Sequence, residues 1–399
     1  MNTAVRPQAI TGKGGSLPAL PQLDYWLLGA ALVLLCFGMV MVASASMWVG
    51  ERIGGTPFFY VIRHAIAIGL GVSAALLLSQ VSIRQWQQAG PLLVFLGMGL
   101  LLILLMPGVG KTVNGATRWI PLGPFNLQSS EFMKLFMVIY IAGYLVRRSE
   151  EVSNSFWGFV KPMLVLAPTG VLILLQPDFG TTVVLFATVL GMLLLGGVKL
   201  WQFSILLGMA VSAASALAYF STYRWARITS FVNPWDDPFK SDFQLSQALI
   251  AFGRGEISGV GLGNGIQKQF YLPEAHTDFL MAVVGEEFGL IGTLVVIALF
   301  FFISWRAFGL GWRAERLGQR FSAYLAYGFG IWIGIQAFIN IGVNVGVLPT
   351  KGLTLPFMSY GSNSIVVVCI VMALLLRVDY EVRQASRETQ RRVAKWSRA

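Results

Sequence analysis

Between Tyr271 and Gly289, Glu274, His276, Asp278, Glu286 and Glu287 run directly into an apolar segment of membrane-spanning length. Charge at membrane depth is costly, so ionisable residues there mark a functional site by default. Asp278, at the mouth of the span, is the leading candidate. Its ordinary pKa of about 3.9 leaves it ionised at neutral pH unless desolvation or neighbours raise that value. The plainer reading is a carboxylate that offsets a helix dipole, worth roughly 0.3–1 kcal/mol. The acidic and imidazole neighbours favour a site. With helix from about 277, Asp278, Ala282, Gly285 and Gly289 form one stripe, whose small members admit a second helix or a lipid chain. Glu286 and Glu287 lie two to three turns deeper, so at least one must meet a polar partner; Arg63 or Lys134 could supply a structural ion pair.

Three further segments carry polar chemistry in apolar surroundings. Asn114-Gly115-Ala116-Thr117-Arg118-Trp119-Ile120 is followed by Gln128-Ser129-Ser130-Glu131-Phe132-Met133-Lys134, where Glu131 and Lys134 have the spacing of a helical ion pair. Such a pair is first of all structural, although its lysine could bind phosphate. Gln176-Pro177-Asp178 reads as a tight turn between two spans, and Asp178 alone carries little weight. Leu348 to Pro356, with Lys351, leads into Ser359-Tyr360-Gly361-Ser362-Asn363-Ser364. Prolines, glycines and hydroxyls at membrane depth imply a broken segment buried in protein or lining a cavity. Gly108-Val109-Gly110-Lys111-Thr112 ends like a phosphate-binding loop but has Leu105 where the first glycine belongs. The glycines from Gly255 to Gly265 follow no strand and form no dinucleotide fingerprint.

These segments need a membrane scaffold. The 399 residues are 56% hydrophobic and 12% charged, with mean hydropathy +0.69. Soluble domains carry about 25% charged residues. A spanning helix takes roughly 20 apolar residues, and candidates fall at 25–47, 62–80, 89–106, 130–146, 160–176, 179–198, 201–220, 279–305, 322–347 and 359–377. The expected fold is therefore an all-α polytopic membrane protein of ten helices. A large structured outer loop, 221–276, joins helices 7 and 8, with a helix-like stretch from Phe243 to Phe252. Residues 1–23 form an N-terminal tail and 378–399 a basic C-terminal tail. Most of the 29 lysines and arginines lie on the side of both termini, which places those ends in the cytoplasm. The net charge of +11 thus serves topology and contact with anionic membrane lipid, not nucleic acid. Cys36 and Cys369 both fall in spans, which argues against a disulfide framework.

Taken together, the segments resemble the SEDS family of shape, elongation, division and sporulation proteins. The likeness covers nearly the whole membrane region, and its most specific part runs from Gln247 through Arg254 to Glu256 and from Tyr271 to Phe279. Asn233-Pro234-Trp235 and Lys351 to Pro356 look more like the division type than the elongation type. The resemblance implies a peptidoglycan glycosyltransferase that polymerises lipid II on the outer face of the inner membrane at the septum. Its implied partners are a class B penicillin-binding transpeptidase and other divisome membrane proteins.

By the same resemblance the family's essential aspartate falls on Asp278, as the base or the holder of a divalent cation, Mg2+ or Mn2+. Glu131 and Lys134 match the family's Ser-Glu-x-x-Lys segment, and Arg118 its Gly-Ala-x-Arg-Trp segment. Lys134, Arg118 and Arg254 would clamp the leaving diphosphate. Glu131, His276 and Gln247 would line the substrate, with Glu286, Asp178, Lys351 and Ser359 in support. The chain departs from the family at Ser129, at Ser362-Asn363 and at Asp242-Phe243, which bears on fine positioning in the last broken segment. A lipid II flippase, an elongation-type polymerase and a non-catalytic scaffold are the rival expectations. Charges clustered at the outer mouth, with few in the inner halves of the spans, favour outer-face chemistry over transport.

Overall fold

A chain in lipid must satisfy every backbone polar group internally, and long apolar runs do so as helices. The computed structural model describes residues 23–113, 116–123, 125–220, 235, 243–269, 271–350 and 352–396. Helices stand at all ten expected positions: α1 (Tyr25–Gly54), α2 (Phe59–Leu78), α3 (Ile83–Ile103), α4 (Ser129–Arg147), α6 (Phe156–Leu174), α7 (Phe179–Leu195), α8 (Leu200–Tyr219), α10 (Leu280–Arg316), α11 (Arg320–Asn344) and α12 (Ser362–Trp396). Two shorter helices, α5 (Ser149–Asn154) and α9 (Phe243–Gly255), lie between them. The expected helix-like stretch in the large loop is α9. Among the described residues, seven helices are long and apolar enough to cross a membrane, so length and composition alone account for seven of the ten expected crossings.

Polar side chains set the helix starts. Asp24 accepts the backbone N–H of Leu27 at 3.1 Å. Ser82 and Gln85 form a reciprocal capping box at α3. Asp178 accepts the N–H of Thr181 at 3.3 Å and begins α7. The chain alternates direction from helix to helix, and contacts define two ends. At one end Arg306 bonds Asp24, and Arg377 reaches the carbonyl of Ser79. At the other lie the α3–α4 connection, the α6–α7 turn and the segments 256–269, 271–279 and 352–361. Buried α4 is central, packed on α3, α7 and α11.

The bundle is all-α as expected, and three features differ from the expected layout in detail. First, the α3–α4 connection is an antiparallel sheet of β1 (Lys111–Val113), β2 (Ala116–Leu122) and β3 (Phe125–Gln128). β2 and β3 pair from Trp119–Gln128 to Leu122–Phe125, and Gly123 at φ 65° makes the turn between them. Second, α12 does not stop at Arg377. It continues as helix to Trp396, with Asp379 fully buried between Arg383 at 2.7 Å and Arg313 at 3.4 Å.

Third, α10 begins at Leu280, so Asp278 is not on a helical stripe, and the helix breaks at Gly289 (φ 64°, ψ −158°). The backbone groups freed by that break are answered by the glycine-rich segment. Val260 and Gly261 donate to the carbonyls of Glu286 and Glu287, each at 3.0 Å. Leu290 and Ile291 donate to those of Glu256 and Ile257, at 2.9 and 3.1 Å. The glycines allow this approach: a Cβ at Gly255 would overlap the carbonyl of Gly285, and one at Gly289 the backbone of 257–259. The small-residue stripe thus receives the chain's own segment at Gly289 and Phe252 of α9 at Gly285.

Candidate active site

Gln336, Asn340 and Asn344 recur every four residues along α11 and so share one face. All three are at most 2% exposed. Buried amides must find partners, and these fasten the site together. Asn340 and Asn344 each donate from Nδ2 to the backbone carbonyl of Asp278, both at 2.9 Å. Asn344 Oδ1 accepts the N–H of Ala282 at 3.0 Å, satisfying one of the donors at the start of α10. Asn340 also holds the carbonyl of Leu353 at 2.6 Å, and Gln336 that of Thr354 at 2.9 Å. Three amides four residues apart in an otherwise apolar span are a readable polar stripe, and they lie outside the motifs described above.

The Asp278 carboxylate is half-buried, just ahead of α10. It sits against Gly352: a Cβ there would come within 3.0 Å of Asp278 Oδ2. The rest of the broken segment folds back on the same place. The N–H of Tyr360 donates to the carbonyl of His276 at 2.9 Å. Buried Ser359 accepts the N–H of Leu355 at 3.0 Å and so shapes the turn rather than facing substrate. Phe357 and Glu274 hold left-handed backbone, at φ 63° and 57°, which costs of order 1–3 kcal/mol each and clusters at functional sites. Lys351 lies outside the described residues.

The expected Glu131–Lys134 pair forms, at 3.0 Å. Lys134 is 1% exposed; its Nζ also donates to Gln336 Oε1 at 2.8 Å and lies 4.9 Å from the Trp332 ring. Through Gln336 it joins α4 to α11 and to the Thr354 carbonyl, and it belongs to the buried framework of the site. Arg118, on β2, bonds the carbonyls of Gln176 and Pro177 and stands 3.9 Å from Asp178. Asp178 also accepts the Ser130 hydroxyl at 3.0 Å, so the hairpin, the α6–α7 turn and α4 lock together. Asp178 carries more structure than its turn position suggested.

Glu286 and Glu287 do have ionic partners, but not the expected Arg63 or Lys134. Glu286, with no exposed surface, takes Arg254 at 2.6 Å and the N–H of Ile266 at 2.8 Å. Glu287 takes Lys268 at 2.5 Å and the Ser44 hydroxyl at 2.8 Å. Arg254 is therefore engaged deep on α10, about 9 Å along the helix from its start; its remaining exposure of 35% leaves donors unspent. Gln247 is half-buried on α9.

His276 is buried with its ring 4.5 Å from Tyr60 and 5.5 Å from Tyr360. Burial pushes its pKa below 6.5, with the Glu274 carboxylate pulling the other way. The folded state therefore binds fewer protons than the unfolded chain, and stability falls as pH drops below that unfolded value. The melting temperature of the detergent-solubilised protein should fall between pH 7 and pH 5. His276→Phe should remove part of that slope; an identical slope in the variant would count against a neutral buried imidazole.

A bundle of this length and apolarity, with a buried polar network gathered at one end, defines a multi-pass membrane protein with its candidate site at that end. The family model described as "Cell cycle protein", which groups FtsW, RodA and SpoVE, matches residues 25–384, and the chain belongs to this family. It is 57% identical over 378 residues to a probable peptidoglycan glycosyltransferase FtsW of Allochromatium vinosum, covering 94% of this chain and 95% of that one. It is 50% identical over 358 residues to the protein of the same name from Coxiella burnetii, covering 90% and 96%. Among solved structures, a chain from a study of structural coordination of polymerization and crosslinking by a peptidoglycan synthase complex matches with TM-score 0.73 and 26% identity, over 91% of this chain and 99% of that one. The rod shape determining protein RodA of Thermus thermophilus shares the fold, with TM-score 0.66 and 24% identity over 91% and 98%.

Proposed function

We propose that this chain is a peptidoglycan glycosyltransferase that polymerises lipid II at the division septum, on the outer face of the inner membrane, with both termini cytoplasmic. The observation that carries the reading is half-buried Asp278, whose backbone carbonyl is held at the head of α10 by two buried amides, in a chain whose curated relatives bear that enzyme name. A hydroxyl of one lipid-linked saccharide attacks the anomeric carbon of another. The new C–O bond forms as the bond to diphosphate breaks; Asp278 accepts the hydroxyl proton, and the lipid diphosphate leaves with the electron pair. The unspent donors of Arg118 and Arg254 are the cations on hand for the growing negative charge.

Among the described residues no three His, Cys, Asp or Glu side chains gather as a metal cage. Asp278 with substrate phosphates is nonetheless a donor set that Mg2+ or Mn2+ accepts. A divalent cation so held would lower the charge on the leaving diphosphate. A class B penicillin-binding transpeptidase and other division proteins are the partners of this reading, supported by the similar chain from a peptidoglycan synthase complex.

Purified protein given lipid II in detergent, where no transbilayer step exists, should yield glycan polymer. Absence of polymer, alongside lipid II translocation in vesicles, would replace the enzyme with a transporter. Gly352→Ala supplies a finer test. Its Cβ would press on Asp278 Oδ2, and a displacement of 1 Å can cost roughly 100-fold in rate. Turnover should fall about tenfold with folding intact; unaltered turnover would mean that the carboxylate does not act from this position.

A further inference from the structure

Four cations at the site end each have a carboxylate partner: Lys134 has Glu131, Arg118 Asp178, Arg254 Glu286 and Lys268 Glu287. Arg63 is different. It is exposed on the first turns of α2, its guanidinium 4.2 Å from the Phe59 ring and within reach of the Tyr360 hydroxyl. Among the described residues it forms no ion pair. Tyr60, Arg63 and His64 stand at i, i+3 and i+4, on one face of α2. That face meets the segments that flank Asp278: Tyr60 packs on His276 at 4.5 Å and on Tyr360 at 5.2 Å.

An interfacial aromatic belt is the plainer account of such rings. Belt residues turn outward, as Phe58 does at 54% exposure. Tyr60 and Tyr360 are half-buried and turn inward, onto a histidine two residues from Asp278. His64 beside them has no exposed surface, its ring is 6.0 Å from that of Tyr360, and among the described residues neither ring nitrogen has a hydrogen-bond partner. A buried unpartnered group is an exception among native side chains, and a polar molecule at the rings, a water included, would satisfy it. Glu274 completes the surround, close enough to act electrostatically on both Tyr60 and His276.

We infer that Tyr60, Tyr360, His276, Glu274 and Arg63 form a subsite for a saccharide ring that carries an anionic group. The rings offer an apolar platform for a pyranose face, Glu274 accepts from sugar hydroxyls, and Arg63 meets the anion with a fork of donors. This deepens the glycosyltransferase reading by placing one sugar beside Asp278. The anion is either the diphosphate or a carboxylate on the substituent that the saccharide bears.

The test is binding to the full-length Asp278→Ala protein in detergent, with lipid II and undecaprenyl diphosphate as separate probes. Into that background go Arg63→Ala, Arg63→Gln, Tyr60→Leu and Tyr360→Leu, each checked by thermal melting. Both Arg63 variants should weaken lipid II binding by roughly tenfold or more, the effect of losing one charge-assisted hydrogen bond. A parallel loss for undecaprenyl diphosphate assigns the anion as diphosphate; a loss for lipid II alone assigns it to the sugar. The tyrosine variants should weaken lipid II and spare undecaprenyl diphosphate. Unchanged lipid II affinity in folded Arg63 or tyrosine variants overturns the subsite alone, whereas no lipid II binding by the parent overturns the subsite and the polymerase reading together. Because the readout is affinity without turnover, the former failure is distinct from a failure of Asp278 to polymerise.

Discussion

Asp278→Ala is expected to lower lipid II polymerisation by the purified protein by roughly 10²–10⁴-fold, the range that a positioned general base contributes. Folding should survive. The amides of Asn340 and Asn344 hold the backbone carbonyl of residue 278, not its side chain, so their hydrogen bonds remain in the variant. Asp278→Asn is the sharper companion, because it keeps the volume and removes only basicity and charge. Both variants should keep the melting temperature of the parent. Polymer yield within a few-fold of the parent in either one would remove the aspartate from the chemistry.

The second large effect is on stability. Glu286 has no exposed surface and gathers Arg254, the N–H of Ile266 and the N–H of Gln267. Glu286→Ala leaves a half-buried guanidinium and two backbone donors without their acceptor. Breaking a buried ion pair from one side costs about 3–5 kcal/mol, a large share of a typical folding free energy. Glu286→Gln retains an acceptor oxygen and should cost less. Melting in detergent, with and without Arg254→Met in the same chain, measures this. If the arginine substitution fails to relieve the glutamate variant, the pair is not what Glu286 supplies.

The parts of this site differ in how far the sequence exposed them. Glu131 and Lys134 were legible because their spacing alone brings them together on a helix. The need of Glu286 and Glu287 for polar partners was equally legible, since isolated charge in an apolar span is untenable. Arg254 and Lys268 were not foreseeable as those partners. They arrive only when the glycine-rich segment docks on α10, a tertiary event with no local signature. The small sheet escaped for a related reason: β1 and β3 are three and four residues long, too short for alternation to speak. The α12 extension escaped because its charged face resembles a solvated tail until Asp379 meets Arg313 across the bundle. The amide stripe at 336, 340 and 344 was the one signal in plain view, for a period of four in a membrane helix has few uses other than facing a partner.

The interruption at Gly289 bears on which sequence changes the chain can absorb. Residues 256–261 grip the broken helix through main-chain hydrogen bonds, so side chains there other than at Gly259 and Gly261 are free to vary, whereas the number of residues is not. One inserted residue would slide four matched donors and acceptors out of step and leave them stranded in an apolar setting. Drift among descendants of this protein should therefore respell that stretch while keeping its length.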